Sequence, residues 1–336
     1  MYDVKVHIDL AKPTGKVGFG VPLILQEYAD SAIAYTEVSS LAEIASAGFD
    51  TKGEVYVAAQ LLFAQANAPK QIAVCAVTDD APTALADPAL VGKGWRQLIV
   101  VAPDDEETAS TVAEISAAVE PLDGKLYFAG LDTDDATVIS TSGLRRTILF
   151  YCNATEDVPV PVAALVGEIA GRAAGRFTYK NMILSGVPAQ DLSDTEIEAI
   201  HKKGGITFVQ KAGDNVTSEG KLAGGEYIDV IDCEDYIIQQ LTYRTQKMLN
   251  NAAKVPYDNN GIAMLESVAV DVLQDAFNQG MIATDADGNP DYSISYTMRE
   301  DTKESDRASR LYPGGSFRFA LAGAIHEVEI TGTITA

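Results

Sequence analysis

The chain has 336 residues, 47% hydrophobic and 22% charged, enough apolar material for one large domain or two ordinary ones. Its net charge is −23, from 48 acidic and 25 basic residues, which argues against a broad basic face for DNA or anionic lipid. No stretch nears the roughly 20 apolar residues of a membrane span, and Met1-Tyr2-Asp3-Val4-Lys5 lacks a signal-peptide pattern. Cys75, Cys152 and Cys233 are far apart with no C-x-x-C spacing, so cytosolic synthesis without zinc knuckle or disulfide framework is expected.

The first residues alternate. Val4, Val6, Ile8 and Leu10 fall on one face and Asp3, Lys5, His7 and Asp9 on the other, the period of a half-buried strand. Lys12-Pro13-Thr14-Gly15 breaks it, and Gly15, Gly18 and Gly20 keep the chain loose up to Pro22. From about residue 36 the pattern becomes α/β. Helices are predicted at Ser40–Ala47, Glu54–Ala66, about 81–91 and Glu106–Val119, and strands at Gln71–Val77, Gln97–Val101, Leu126–Ala129 and Thr147–Tyr151. Apolar strands alternating with helices predict a mainly parallel sheet covered on both faces. The acid-rich stretch from Asp104 to Asp135, relieved only by Lys125, is expected to face solvent.

Residues 159–176 read as a helix in which Gly167, Gly171 and Gly175 allow close approach of a neighbour; Glu168, Arg172 and Arg176 favour soluble packing over a membrane dimer face. Ser193-Asp194-Thr195-Glu196 is a capping box opening a helix that stops at Gly204-Gly205. Strands are predicted at 206–210 and 226–232, then long helices at Glu234–Ala253, halted by Pro256, and Gly261–Asn278. Phe317–Ala322 is strand-like. In the last stretch Val328, Ile330 and Ile334 share a face, so the chain ends, as it begins, on an alternating strand.

Catalytic patterns are sparse. His7, His201 and His326 read as ordinary strand or helix residues, and there is no G-x-S-x-G elbow, phosphate loop or H-E-x-x-H; Gly15–Gly20 opens no helix and fails the dinucleotide pattern. Asp285-Ala286-Asp287-Gly288-Asn289-Pro290-Asp291 begins like a calcium loop, but Gly stands fourth rather than sixth and Tyr296 occupies the twelfth place, so a plain turn is expected. No catalytic residue, metal or cofactor is assigned. Arg299, Lys303, Arg307 and Arg310, spaced by four, four and three, would form one basic stripe on a helix, either salt-bridged decoration or a contact to an acidic partner.

Several motifs in the second half occur together in order: Gly186-Val187-Pro188 before the capped helix, Gly225-Glu226-Tyr227-Ile228-Asp229-Val230, Lys254-Val255-Pro256-Tyr257-Asp258 followed by Gly261-Ile262, Asp306-Arg307-Ala308, Pro313-Gly314, and Leu321-Ala322-Gly323-Ala324-Ile325-His326. In these the chain resembles the sheath subunits of contractile tails, of myophage-like tails and related bacteriocin particles, over roughly residues 160–336; the first half matches only in general pattern, as a compact member. The resemblance implies an N-terminal arm at 1–22, an outer α/β domain at 23–178, an inner α+β domain at 179–323 and a C-terminal arm at 324–336. It also implies stacked hexameric rings around an inner tail tube, baseplate and tail terminator proteins as further partners, no direct nucleic-acid or membrane contact, and assembly in a bacterial cytoplasm.

An independent argument reaches the arms. A tethered lone strand has unpaired backbone groups and one apolar face, and pairing with the sheet edge of another copy satisfies both. Strands 2–10 and 325–335 are therefore expected to donate to neighbouring copies, and the basic stripe to face the tube. The competing class is a nucleotide- or sugar-binding α/β enzyme with Thr78, Asp79, Asp80, Pro103, Asp104 and Asp105 at the strand ends; those loops are acidic and lack a glycine cradle. An inner-tube subunit is disfavoured by the helices over 234–278.

Overall fold

Apolar runs bounded by turn residues become strands wherever both faces can be covered. The computed structural model, which describes residues 20–102, 110–134 and 141–329, arranges them in one eight-stranded sheet. Its strands are β1 (Val21–Gln26), β2 (Ile33–Val38), β3 (Ile72–Ala76), β4 (Trp95–Val101), β5 (Leu126–Leu131), β6 (Thr147–Tyr151), β7 (Gly205–Lys211) and β8 (Asp214–Thr217). The order is β2-β3-β1-β4-β5-β6-β7-β8: six parallel strands with an antiparallel strand at each edge. The sheet thus runs on past residue 178 through β7 and β8.

Helices α1 (Leu41–Ser46), α2 (Glu54–Phe63), α3 (Ala81–Leu85), α4 (Pro88–Val91), α5 (Val112–Val119), α6 (Val162–Ala170) and α7 (Asp194–Lys202) cover it. Ile24, Val74, Ile99, Phe128, Phe150 and Phe208 point to the side of α1, α2 and α6; Leu23, Leu25, Ala73, Leu98, Tyr127 and Leu149 point to that of α3, α4, α5 and α7. Burial on both faces is why these strands read as unbroken apolar runs.

Several boundaries differ from expectation. The helix expected near 81–91 is split between α3 and α4 at Asp87, which caps the second piece through the Ala89 N–H. That expected from 106 begins at Val112, where Thr111 and Glu114 form a second capping box. The helix predicted over 159–176 is confined to 162–170, but its glycines do what their spacing implied. A β-carbon on Gly167 would lie 2.4 Å from the Leu62 carbonyl oxygen, and one on Gly171 2.1 Å from that of Asn67. Only glycine lets α6 sit this close to α2 and the loop after it.

The strand expected at 226–232 is instead the start of α8 (Ile228–Asn251), where Ile228 and Ile231 are buried one helical turn apart. With α9 (Asn259–Asn278) and the antiparallel pair β9 (Tyr292–Tyr296) and β10 (Gly315–Phe319), α8 encloses a separate core of Cys233, Ile237, Leu241, Ala269, Val272, Leu273, Ala276, Met281 and Ile282.

An ion cluster joins α8 to the large sheet. Arg96 on β4 is 2.5 Å from Asp232 and 2.6 Å from Asp235, and Arg146 also reaches Asp235 at 2.6 Å. The Tyr179 hydroxyl donates to Asp232 at 2.7 Å, and Arg96 donates to the Gly124 carbonyl at 3.0 Å. Burial pushes the Asp235 carboxyl up, but Arg96 and Arg146 more than offset it and hold it below the usual carboxylate range. Beside the cluster, Lys125 is buried rather than solvated: its ammonium lies 4.2 Å from the Trp95 ring centroid and donates to the carbonyls of Trp95 (2.5 Å) and Lys93 (2.9 Å). Burial and repulsion from Arg96 pull it down to about 7.

Candidate functional site

The carboxyl ends of the parallel strands are where such a sheet would hold a ligand. Here the carboxylate of Glu27, just after β1, fills that position. It accepts the Ala81 N–H at 2.8 Å, the Ser110 N–H at 2.8 Å and the Ser110 hydroxyl at 2.5 Å. These are the donors a bound anion would need. Asp80 is likewise occupied, capping α3 through the Thr83 N–H at 2.7 Å, and the Asp79 carbonyl accepts the Tyr28 N–H. Thr78 precedes them on the same turn, and Pro103, Asp104 and Asp105 lie outside the described residues.

His201 Nε2 is 2.9 Å from Ser218 Oγ, but that hydroxyl is fully buried and also accepts the Thr207 N–H at 3.0 Å, so it is a packed polar group with no access for substrate. In the 285–291 loop the Asp285 carboxylate accepts the N–H groups of Asp287 (3.0 Å) and Asn289 (2.8 Å), closing the turn on itself. Among the described residues no cluster of three or more His, Cys, Asp or Glu could hold a metal ion, and no helix is long and apolar enough to cross a membrane. His7 lies outside the described residues.

Unfinished structure lies at the other end of the molecule. β9 and β10 pair only with each other among the described residues, in the register Tyr296↔Gly315, Ile294↔Phe317 and Tyr292↔Phe319. Tyr292, Ile294, Tyr296 and Phe319 pack on the α8–α9 core, while Phe317 is exposed beside Phe319. Among the described residues no further strand lies against either outer edge of this ribbon. Two strands alone are a marginal sheet. The chain leaves β10 through a single bridge of Leu321 with Ile282 and then runs to Glu329 without regular structure. The strand expected from 325 is not formed as far as Glu329, and the rest of it lies outside the described residues. Within this stretch Ile325 is 83% and Val328 74% exposed. Val4, Val6, Ile8, Leu10, Ile330 and Ile334 lie outside the described residues.

Arg299, Lys303, Arg307 and Arg310 do not form one helical stripe. They sit on the β9–β10 connection, which holds a 3-10 turn at Arg299–Asp301 and a short helix, α10 (Glu304–Ala308). The break has a cause: Arg307 turns inward and donates to the Arg299 and Thr302 carbonyls and to the Thr302 hydroxyl, and Arg310 takes a left-handed φ of 58°. Arg299, Lys303 and Arg310 remain exposed on one loop near the exposed Met298 and Leu311. Sequence reasoning missed Glu27, whose partners are distant in sequence, and the docking of His326, which no local pattern signals.

No family model and no curated protein matches the sequence. Solved structures do. A chain of the anti-feeding prophage baseplate, seen by cryo-electron microscopy, superposes with a TM-score of 0.73 at 15% identity over 95% of this chain and 94% of its own. The sheath complex of an extracellular contractile injection system, PVC, in its contracted state gives 0.72 at 12% identity over 99% and 96%. A sheath tail protein from Listeria innocua gives 0.58 at 10% identity over 91% and 96%. The chain is thus similar in fold, over nearly its whole length, to sheath proteins of contractile systems.

Proposed function

We propose that this chain is a structural subunit of a contractile tail sheath, polymerising as stacked hexameric rings around an inner tube and contracting to drive that tube through a cell envelope. The observation that carries this reading is the near-complete two-way coverage between this chain and structures of contracted sheaths. The open β9–β10 ribbon gives it a physical basis. Strands 2–10 and 325–335, carrying Val4, Val6, Ile8, Leu10, Val328, Ile330 and Ile334, donate to the ribbons of neighbouring copies. Such head-to-tail donation does not close on itself and so extends into a lattice.

The large-sheet body faces outward and the α8–β10 unit inward. Arg299, Lys303 and Arg310 then meet the tube, while Arg307 holds their loop in shape. Baseplate and terminator proteins cap the polymer, which is assembled in the bacterial cytoplasm. The chain is no enzyme in this reading, since its own Glu27 occupies the position a phosphate-bearing ligand would take.

Negative-stain electron microscopy of the purified protein tests this. Full-length protein should form tubes or rings, and deletion of residues 1–19 or of 327–336 should abolish long polymers. Protein that stays a small discrete oligomer under all conditions overturns the sheath reading. Normal long polymers from both deletions overturn strand donation.

A further inference from the structure

The segment from Gly323 to Glu329 is packed inside out. Ile325 and Val328 stand in water, at 83% and 74% exposure, while the His326 side chain between them is only 9% exposed. A terminal stretch that had merely collapsed onto the body would bury the aliphatic groups and leave the imidazole solvated. The imidazole is instead held on three sides. Its Nε2 is 2.8 Å from Thr178 Oγ1, its Nδ1 is 3.3 Å from Glu219 Oε1, and its ring meets Tyr227 edge-on at 4.9 Å and 88°.

The walls of this recess are also held by contacts that do not involve His326. Glu219 Oε1 also accepts the Gly220 N–H at 2.9 Å, and its other oxygen lies 3.5 Å from the Lys221 ammonium. Thr178 adjoins Tyr179, which is tied to Asp232, and Tyr227 is the residue at which α8 begins. A neutral imidazole satisfies both hydrogen bonds at once, Nδ1–H donating to Glu219 while Nε2 accepts from the Thr178 hydroxyl. No charge on the ring is required.

We infer that Thr178, Glu219 and Tyr227 form a socket for the chain's own carboxyl-terminal segment, and that His326 is the pin seated in it. The pin fixes where the segment leaves the body, turns Ile325 and Val328 outward, and shortens the stretch proposed to donate from 325–335 to the residues from Glu327 onward. This consequence rests on the strand-donation reading above; the seating of His326 belongs to the single subunit and can be tested there.

Glutamyl endopeptidase acting on the unassembled full chain reads the pin directly, because cleavage after Glu327 needs several flanking residues released into an extended form. His326→Ala should raise the rate of that cut about tenfold, the change expected when a local anchor is lost, while cuts within residues 141–320 and the melting temperature stay as in wild type. Tyr227→Ala, which leaves the Thr178 and Glu219 bonds in place, should raise the rate of that cut by a smaller factor. The double variant should be cut no faster than His326→Ala, since the contact that Tyr227 supplies is already lost with the imidazole. Equal rates in wild type and His326→Ala, or effects that multiply in the double variant, overturn the pin. A chain that is protected by His326 yet never polymerises would sink strand donation alone. Unchanged cleavage in a chain that polymerises would sink the pin alone.

Discussion

Arg96→Met is the sharpest test of what holds the α8 unit to the sheet. Methionine keeps most of the stem and removes the charge, leaving Asp232 and Asp235 buried with Tyr179 and Arg146 as their remaining partners. Removing one member of a buried ion pair costs about 3–5 kcal/mol, because the abandoned charge stays desolvated. Arg146 at 2.6 Å from Asp235 and Tyr179 at 2.7 Å from Asp232 place the loss near the low end. At ~2 °C per kcal/mol for a chain of this size, the melting temperature should fall by about 6 °C at pH 7. The pH dependence has a definite sign. In the wild type the Asp235 carboxyl is held below its usual range, so it contributes stability that is present above the ordinary aspartate range and lost as pH falls through its folded value. In the variant the burial that pushes the carboxyl up is opposed by Arg146 alone. Its folded value rises and protonation relieves it, so the gap between the two proteins should narrow on acidification from pH 7 to about 4.5. Thermal unfolding followed by circular dichroism at both pH values reads this. A shift under 2 °C at pH 7, or an equal penalty at both, would refute the argument.

Two further outcomes follow from the packing. Lys125 has a folded value near 7 against an ordinary lysine in the unfolded chain, so the native state binds fewer protons between about pH 7 and 10.5, and stability from this group rises with pH across that window. Emission from Trp95, the one tryptophan, should titrate near pH 7 in the wild type and not in Lys125→Met, whose stability should rise less between pH 7 and 9; identical fluorescence titrations would count against a buried ammonium on that ring. Gly171→Ala, which on helix propensity alone would be neutral or favourable, should instead destabilise by about 1–3 kcal/mol through overpacking against Asn67. Urea unfolding checks this, and an unchanged midpoint would mean α6 can move away from the α2 loop.

Strands were legible where burial on both faces wrote continuous apolar runs. Thr147–Tyr151 matches its expected span residue for residue, and Ser193 with Glu196 caps α7 as read. Errors arose where a distant partner overrides the local pattern. Ile228-Asp229-Val230-Ile231-Asp232 is rich in β-branched residues and was read as a strand, yet it is helical, and its Asp232 is buried because Arg96, 136 residues away, neutralises it. The basic spacing at 299–310 suits a helix, but Arg307 spends its guanidinium on the carbonyls of its own turn. Lys125 sits in an acid-rich stretch and was expected in water; the two carbonyls and the ring that receive it belong to β4 and the loop before it. His326 looked like one more residue of a terminal strand, and its three partners come from segments more than 95 residues upstream.

The two sheets treat their edges differently, and this bears on where another chain can add. At one edge of the large sheet, β2 is irregular in its pairing with β3 between Ile33 and Thr36, carries Glu37, and spends the Ala34 carbonyl on the Thr36 hydroxyl at 2.9 Å. At the other, β8 is four residues long and begins Asp214-Asn215. Irregularity, charge and shortness each discourage a further strand. β9 and β10 have none of these except Arg318. Their register is unbroken over five pairs, Ser293, Ser295 and Ser316 add no bulk or charge, and no proline interrupts either strand. A molecule that had to avoid all edge pairing would have guarded the short ribbon as it guards the long sheet. Among the described residues the ribbon is the edge left unguarded, so the strand donation proposed above would fall to the unit that also carries the exposed Phe317 and Leu321, a few residues from the point where His326 fixes the departing chain.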